Sequence, residues 1–219
     1  GISMSGLAEI LHDRGFKVSG SDMKASPLTE HLESLGISVQ FPQKSENIVP
    51  GIELCVYTAA ISEDNPEFQE VKRQNIPMMS RAELLGRIMK NYKEAINVSG
   101  THGKTTTTSM IGEILMEAQM DPTITVGGMM KDIGGNLRVG KSDVFLAEAC
   151  EYTNSFLSFF PTIEVVLNVE EDHLDFFKDI NDIRASFRKF IEKLPENGIL
   201  IFNKDIPHAE FFLENLPGR

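Results

Sequence analysis

Apolar residues three and four apart, Met4, Leu7, Ala8 and Leu11, predict a helix that Gly15 ends. Lys17 to Ser19 then reads as a short strand closing on Gly20-Ser21-Asp22. Further on, Leu28 to Leu35, Pro66 to Gln74 and Arg81 to Met89 read as helices, and Ser38 to Phe41, Glu53 to Tyr57 and Ile76 to Met79 as strands. The same alternation continues through a strand at Ala95 to Val98 and a helix whose apolar face is Met110, Ile111, Ile114, Leu115 and Ala118. A strand at Ile124 to Val126 leads into Gly127-Gly128, and Ile133 to Arg138 reads as a flexible loop. Asp143 to Ala147 and Ile163 to Leu167 are apolar enough to be buried strands. A helix on Ile180, Ile183, Phe187, Phe190, Ile191 and Leu194 and a strand at Ile199 to Phe202 close the pattern. Strands alternating with helices through short turns predict an α/β fold with mostly parallel, doubly wound sheets.

In such a sheet the loops that follow strands carry the ligand contacts. The most informative is Ser99-Gly100-Thr101-His102-Gly103-Lys104-Thr105-Thr106, between an apolar strand and a helix. Two glycines let backbone N–H groups turn toward an anion, Lys104 adds a mobile positive charge, and the Thr105 hydroxyl suits Mg²⁺. Full spacing of the phosphate-loop pattern would put a glycine where Val98 stands, so the match is to its shorter core. Four consecutive threonines are poor helix formers, and their place at a helix start points to hydroxyls wanted at a ligand. Residues 93–219 thus read as a P-loop-type ATP-binding domain. Residues 1–92 read as a Rossmann-like domain, with Asp22 at a strand end where an acid meets a ribose.

At 219 residues with 41% hydrophobic content, the chain has room for one large domain or two ordinary ones. Its formal net charge of −11 disfavours a nucleic-acid partner. No apolar run is long enough to cross a bilayer, no signal peptide opens the chain, and the protein reads as soluble and cytoplasmic. Cys55 and Cys150 lack metal-ligand spacing and read as reduced, buried or half-buried thiols. The opening on glycine and the ending at Leu216-Pro217-Gly218-Arg219 look like cuts within a longer protein, and partial disorder or self-association is expected near Gly1.

Carboxylates complete the candidate chemistry. The strand at Asp143 to Ala147 delivers Glu148, with Glu151 three residues on. The strand at Ile163 to Leu167 delivers Asn168, Glu170, Glu171, Asp172, His173 and Asp175. Hard oxygen ligands at strand ends beside a phosphate loop are what a Mg²⁺–ATP site needs. His173 reads either as a ligand for a second cation or as a helix N-terminal histidine paired with Asp172 or Asp175. Asn136 and Arg138 offer donors to an anionic or amide-bearing substrate, although a hairpin turn explains their segment equally well.

With Gly100-Thr101-His102-Gly103-Lys104-Thr105, Glu148-Ala149-Cys150-Glu151 and Asn168-Val169-Glu170-Glu171-Asp172-His173-Leu174-Asp175 in that order, the chain resembles the Mur ligases. Gly1 to Ala8, Asp64-Asn65-Pro66-Glu67 and Arg81-Ala82-Glu83 carry the likeness into the first domain. The resemblance implies a piece of a three-domain enzyme, without its first strand and C-terminal domain and not expected to turn over alone. The reaction it implies belongs to peptidoglycan precursor synthesis: ATP activates the lactyl carboxylate of UDP-N-acetylmuramate as an acyl phosphate, and L-alanine attacks to give an amide. It further implies catalytic roles for Lys104 and His173, and nucleotide contacts from Gly100 to Thr106. Thr105 and Glu148 would hold one Mg²⁺ and His173 a second. Ser21, Asp22, Ser62, Asn136 and Arg138 would bind the UDP-sugar, and Asn168 would lie near nucleotide or metal. Two other readings compete: a murein-recycling ligase that adds a whole peptide to the same UDP-sugar, and a non-catalytic ATP-binding sensor domain.

Overall fold

The computed structural model describes residues 2–216, so Gly1, where disorder is expected, lies outside the described residues. The chain divides into two compact units, one reaching Leu84 and the other starting at Leu85.

In the first unit, helix α1 (Ile2–Asp13) precedes β1 (Ser19–Ser21), α2 (Pro27–Ser34) and β2 (Ser38–Gln40). Then come β3 (Cys55–Tyr57), α3 (Pro66–Arg73), β4 (Met78–Ser80) and α4 (Arg81–Met89), inside which the division between the units falls. The periodicity places every one of these elements to within a few residues. β1 pairs with β2 and β3 with β4, both in parallel, as two separate two-stranded sheets. Leu32, Ile37 and Val39 form a core under the first pair. The helix starts follow local chemistry: Ser26 caps α2 ahead of Pro27, and the Asn65 side chain accepts from the N–H groups of Glu67 and Phe68 to cap α3.

The second unit is built on one six-stranded sheet in the order β10-β9-β5-β8-β6-β7. Its strands are β5 (Glu94–Ser99), β6 (Thr123–Met130), β7 (Gly135–Arg138), β8 (Val144–Ala149), β9 (Ile163–Val166) and β10 (Ile199–Phe202). All pairings are parallel except that of β7 with β6. After β5 the chain runs through α5 (Lys104–Glu117) to β6, returns to place β8 beside β5, then crosses to β9 on its other side. Strand order therefore reverses around β5, and the C-terminal ends of β5, β8 and β9 border the crevice where such folds bind ligands.

One sheet face packs Val98, Ile124, Val126, Met130, Leu146 and Val165 against Ile111, Leu115 and Met116 of α5. Gly112 permits the contact, because a Cβ there would stand 3.1 Å from Ile124 Cδ1 and 3.2 Å from Met130 Cε. Helix α6 (Ile180–Ile191), capped by Asp179, buries Ile183, Phe187, Phe190 and Ile191, and Phe156 stacks on Phe190. α7 (Ala209–Leu213) brings Phe212 to Phe202 of β10.

Three expectations change. Met110 and Ile114, assigned to the apolar face of α5, are exposed: they lie one helical step round from the Ile111 and Leu115 stripe that touches the sheet. The strand at Ile124 to Val126 does not stop at Gly127-Gly128 but runs through both glycines to Met130, with an irregularity in its pairing with β7. The segment from Ile133 to Arg138 is no loop, since Gly135–Arg138 pairs antiparallel with β6 as the second arm of a hairpin.

Candidate functional site

β5 ends at Ser99, and the chain turns through Gly100 (φ 144°) and Gly103 (φ 82°), backbone angles that side-chain-bearing residues rarely adopt. A Cβ on Gly100 would also stand 3.0 Å from Leu167 Cβ. Gly103 caps α5, so the helix starts at Lys104 and points its positive end at the loop. The loop is held by the end of β9. Asn168 Oδ1 accepts from the His102 N–H at 2.8 Å, Asn168 Nδ2 donates to the His102 carbonyl at 3.0 Å, and the Asn168 carbonyl accepts from the Thr101 N–H at 3.2 Å. The Thr101 hydroxyl accepts from the Glu170 N–H at 2.9 Å. The His102 and Thr106 side chains face solvent.

Lys104 is nearly enclosed. Its ammonium donates to the Gly100 carbonyl at 2.5 Å, the Thr101 carbonyl at 3.0 Å and the Glu151 carboxylate at 3.0 and 3.3 Å. Glu151 is 2% exposed and also faces His173, whose Nε2 lies 3.8 Å from Oε1. Beside them the Thr105 hydroxyl donates to Glu148 Oε2 at 2.8 Å, and the Gly127 N–H donates to the same oxygen at 2.8 Å. β6 passes close by: a Cβ on residue 127 would meet both Glu148 oxygens at 2.9 Å, so the carboxylate would have to shift.

The structure thus brings Thr105 to Glu148, and His173 to Glu151. His173 heads a turn, not a helix, with φ 53°, its N–H bonded to Asp172 Oδ1 and its ring 4.5 Å from that of Tyr152. Asp175 accepts from the Tyr152 hydroxyl. Among the described residues no group of three or more His, Cys, Asp or Glu could hold a metal alone. Mg²⁺ on a nucleotide takes one or two protein oxygens and fills its shell with phosphate oxygens and water. The Thr105–Glu148 pair supplies such oxygens.

The other candidates fall in both units. Ser21 ends β1 and donates to Glu67, which also accepts from Asn47 Nδ2 at 2.6 Å. Gln43 joins this network, bonded to Ser21 and to Asn65. Asp22 follows Ser21, its Oδ1 accepting from the Met23 N–H, and Ser62 lies exposed in the turn before α3. In the second unit Asn136 is buried on β7. Arg138 donates to the Asp121 carboxylate and to the Pro122 carbonyl, each at 2.5 Å, and that guanidinium holds the Asp121 carboxyl below its usual range. Cys55 and Cys150 are free, half-buried thiols, both pushed up in pKa by burial.

The sequence reading gave Glu151 no role at the lysine. Glu151 was visible as an acid three residues after Glu148, but nothing in spacing says that it reaches Lys104. Asn168, expected near nucleotide or metal, binds the backbone of the glycine loop through its amide.

A mostly parallel sheet with a glycine turn, a lysine and a threonine hydroxyl at its switch point is an arrangement suited to a nucleotide phosphate. More narrowly, the chain belongs to the Mur ligase family: the Mur ligase middle domain matches residues 98–219, and the Mur ligase family catalytic domain matches residues 1–93. The chain is 62% identical to the UDP-N-acetylmuramate–L-alanine ligase of Lachnospira eligens over 98% of its own length and 47% of the relative's. Among solved structures, UDP-N-acetylmuramate-alanine ligase MurC from Thermotoga maritima superposes with a TM-score of 0.83 at 27% identity, covering 96% of this chain and 49% of that one. The UDP-N-acetylmuramate:L-alanyl-γ-D-glutamyl-meso-diaminopimelate ligase of Neisseria gives 0.87 at 26% identity, covering 100% and 74%. The chain spans about half the length of the curated relatives it matches.

Proposed function

We propose that this chain is the nucleotide-binding part of an ATP-dependent ligase that joins L-alanine to the lactyl carboxylate of UDP-N-acetylmuramate. The observation that carries the proposal is the pairing at the strand ends: Lys104 over the glycine turn, with Thr105 and Glu148 in contact beside it. A carboxylate acylates an amine only once one of its oxygens has become a good leaving group. Transfer of a terminal phosphoryl group from ATP makes the acyl phosphate, and attack by the amine releases phosphate and forms the amide. Lys104 is suited to meet charge on the transferring group, and Thr105 and Glu148 to hold a Mg²⁺ that, when bound, neutralises phosphate charge. His173 is assigned to a second cation on the family likeness.

Residues 93–219 would then bind ATP and residues 1–92 the UDP-sugar, through Ser21, Asp22 and Ser62. The reaction belongs in the cytoplasm, where its nucleotide substrates are made. L-alanine is favoured over a whole peptide as the amine by curated relatives of 62, 59 and 55% identity, each named UDP-N-acetylmuramate–L-alanine ligase. Lys104, Thr105, Glu148 and His173 together argue against a sensor domain, which has no need of two metal positions.

Calorimetric titration with UDP-N-acetylmuramate tests the assignment. Saturable binding by the chain, weakened about tenfold in Ser21→Ala, is the expected result. Nucleotide binding with no UDP-sugar binding at any concentration contradicts it and favours the sensor reading.

A further inference from the structure

An ammonium has three protons, and the four oxygens around Lys104 Nζ use all of them. Two are carbonyls of the loop itself, so they travel with any phosphate site the loop makes. The remaining partner is Glu151, on a different element. An incoming phosphate oxygen must displace one of these partners, and Glu151 is the charged one that competes with it directly. At 2% exposure Glu151 pays heavily for a bare charge and must gain another cation in exchange. Its Oε1 lies 3.8 Å from His173 Nε2, the imidazole that the family likeness assigns to a second divalent cation.

We propose that Glu151 is an exchange carboxylate: it positions Lys104 against the phosphate loop, competes with phosphate for that ammonium, and would pair instead with the divalent cation that accompanies the nucleotide. The proposal rests on the nucleotide-site reading above and adds to it a positioning residue and a direction of competition. Nucleotide without metal strands the buried carboxylate, whereas nucleotide with metal provides for it. Metal dependence of binding is then partly a property of Glu151, not only of Thr105 and Glu148.

The test is calorimetric titration of the chain with ADP, once with a chelator and once with Mg²⁺, for the unmutated protein and for Glu151→Gln. The amide keeps the shape and removes the competing charge. Metal-free ADP is expected to bind Glu151→Gln about tenfold more tightly, and Mg²⁺ to improve its binding less than it does for the unmutated chain. A merely structural role predicts the opposite, weaker ADP binding together with a lower melting temperature, and either that result or an unchanged affinity overturns the proposal. Glu170→Gln controls for bulk charge, since Glu170 is exposed and stands 4.0 Å from His102. Its effect should stay within about twofold, and tightening equal to that of Glu151→Gln overturns the specific competition. Failure of both chains to bind any nucleotide instead brings down the site reading beneath. One further measurement needs no variant at residue 151. In the unmutated chain Lys104 is expected to undergo reductive methylation at least about tenfold more slowly than exposed Lys131, and ADP with chelator should change that rate. A rate for Lys104 equal to that of Lys131 overturns the proposal.

Discussion

Glu164 is a carboxylic acid in the folded protein. It is fully buried in the middle of β9, and burial pushes its pKa up to about 8 against the opposing effect of a hydrogen bond from Ser99. Its Oε2 and the Oδ1 of Asn97, opposite it in register on β5, have no hydrogen-bond partner among the described residues. Between the unfolded value of 4.5 and about 8 the folded protein holds a proton that the unfolded chain has lost. This group's contribution is therefore fully present below pH 4.5 and declines as pH rises, by up to about 1.4 kcal/mol per unit, until the folded pKa is passed. Glu164→Gln should leave stability nearly unchanged at pH 5 and raise it by on the order of 3 kcal/mol at pH 8.5. Urea denaturation at both values checks this, and an equal change at the two would contradict it. Such a residue is hard to read from sequence, because one acid in an otherwise apolar run does not disturb the pattern that marks a buried strand. Lys104, Thr105 and Glu148 were legible because their spacing from strand ends fixes where they must stand. Glu151 and Asn168 act through contacts between β8, β9 and the loop that only the strand order creates.

At the scale of elements, periodicity served well wherever a segment has one buried face. The helices of the first unit and α6 came out within a few residues of their observed bounds. It failed at β6 and β7, where glycine usually signals a turn. Gly127 instead lies within the strand and leaves room for the Glu148 carboxylate, a neighbour set by β8 and invisible in the β6 sequence. Gly86 is a comparable case within α4. Alanine at a mid-helix glycine normally stabilises by up to about 1 kcal/mol. Here its Cβ would stand 1.9 Å from the Ser158 carbonyl oxygen, backbone that cannot step aside. Gly86→Ala should therefore destabilise the second unit by about 3 kcal/mol, seen as a lower melting temperature by circular dichroism, and a rise in that temperature would refute the packing.

At the scale of the whole molecule, the chain has two compact units and an excess of acid, with a formal charge of −11. No helix among the described residues is long and apolar enough to cross a membrane. If nucleotide binds only within residues 93–219, calorimetric heating should show two transitions. Mg²⁺ with ADP at about 100 times its dissociation constant should stabilise one of them by about 2.7 kcal/mol and leave the other in place. Equal shifts in both would argue against separate binding domains. The central claim, that the turn from Gly100 to Thr105 binds nucleotide phosphate through Lys104, is tested most directly by titrating the chain with Mg²⁺ and a non-hydrolysable ATP analogue beside Lys104→Ala. One saturable site, weakened about 100-fold in the variant while its melting temperature holds, is the predicted result. Equal affinity in the two proteins would contradict it.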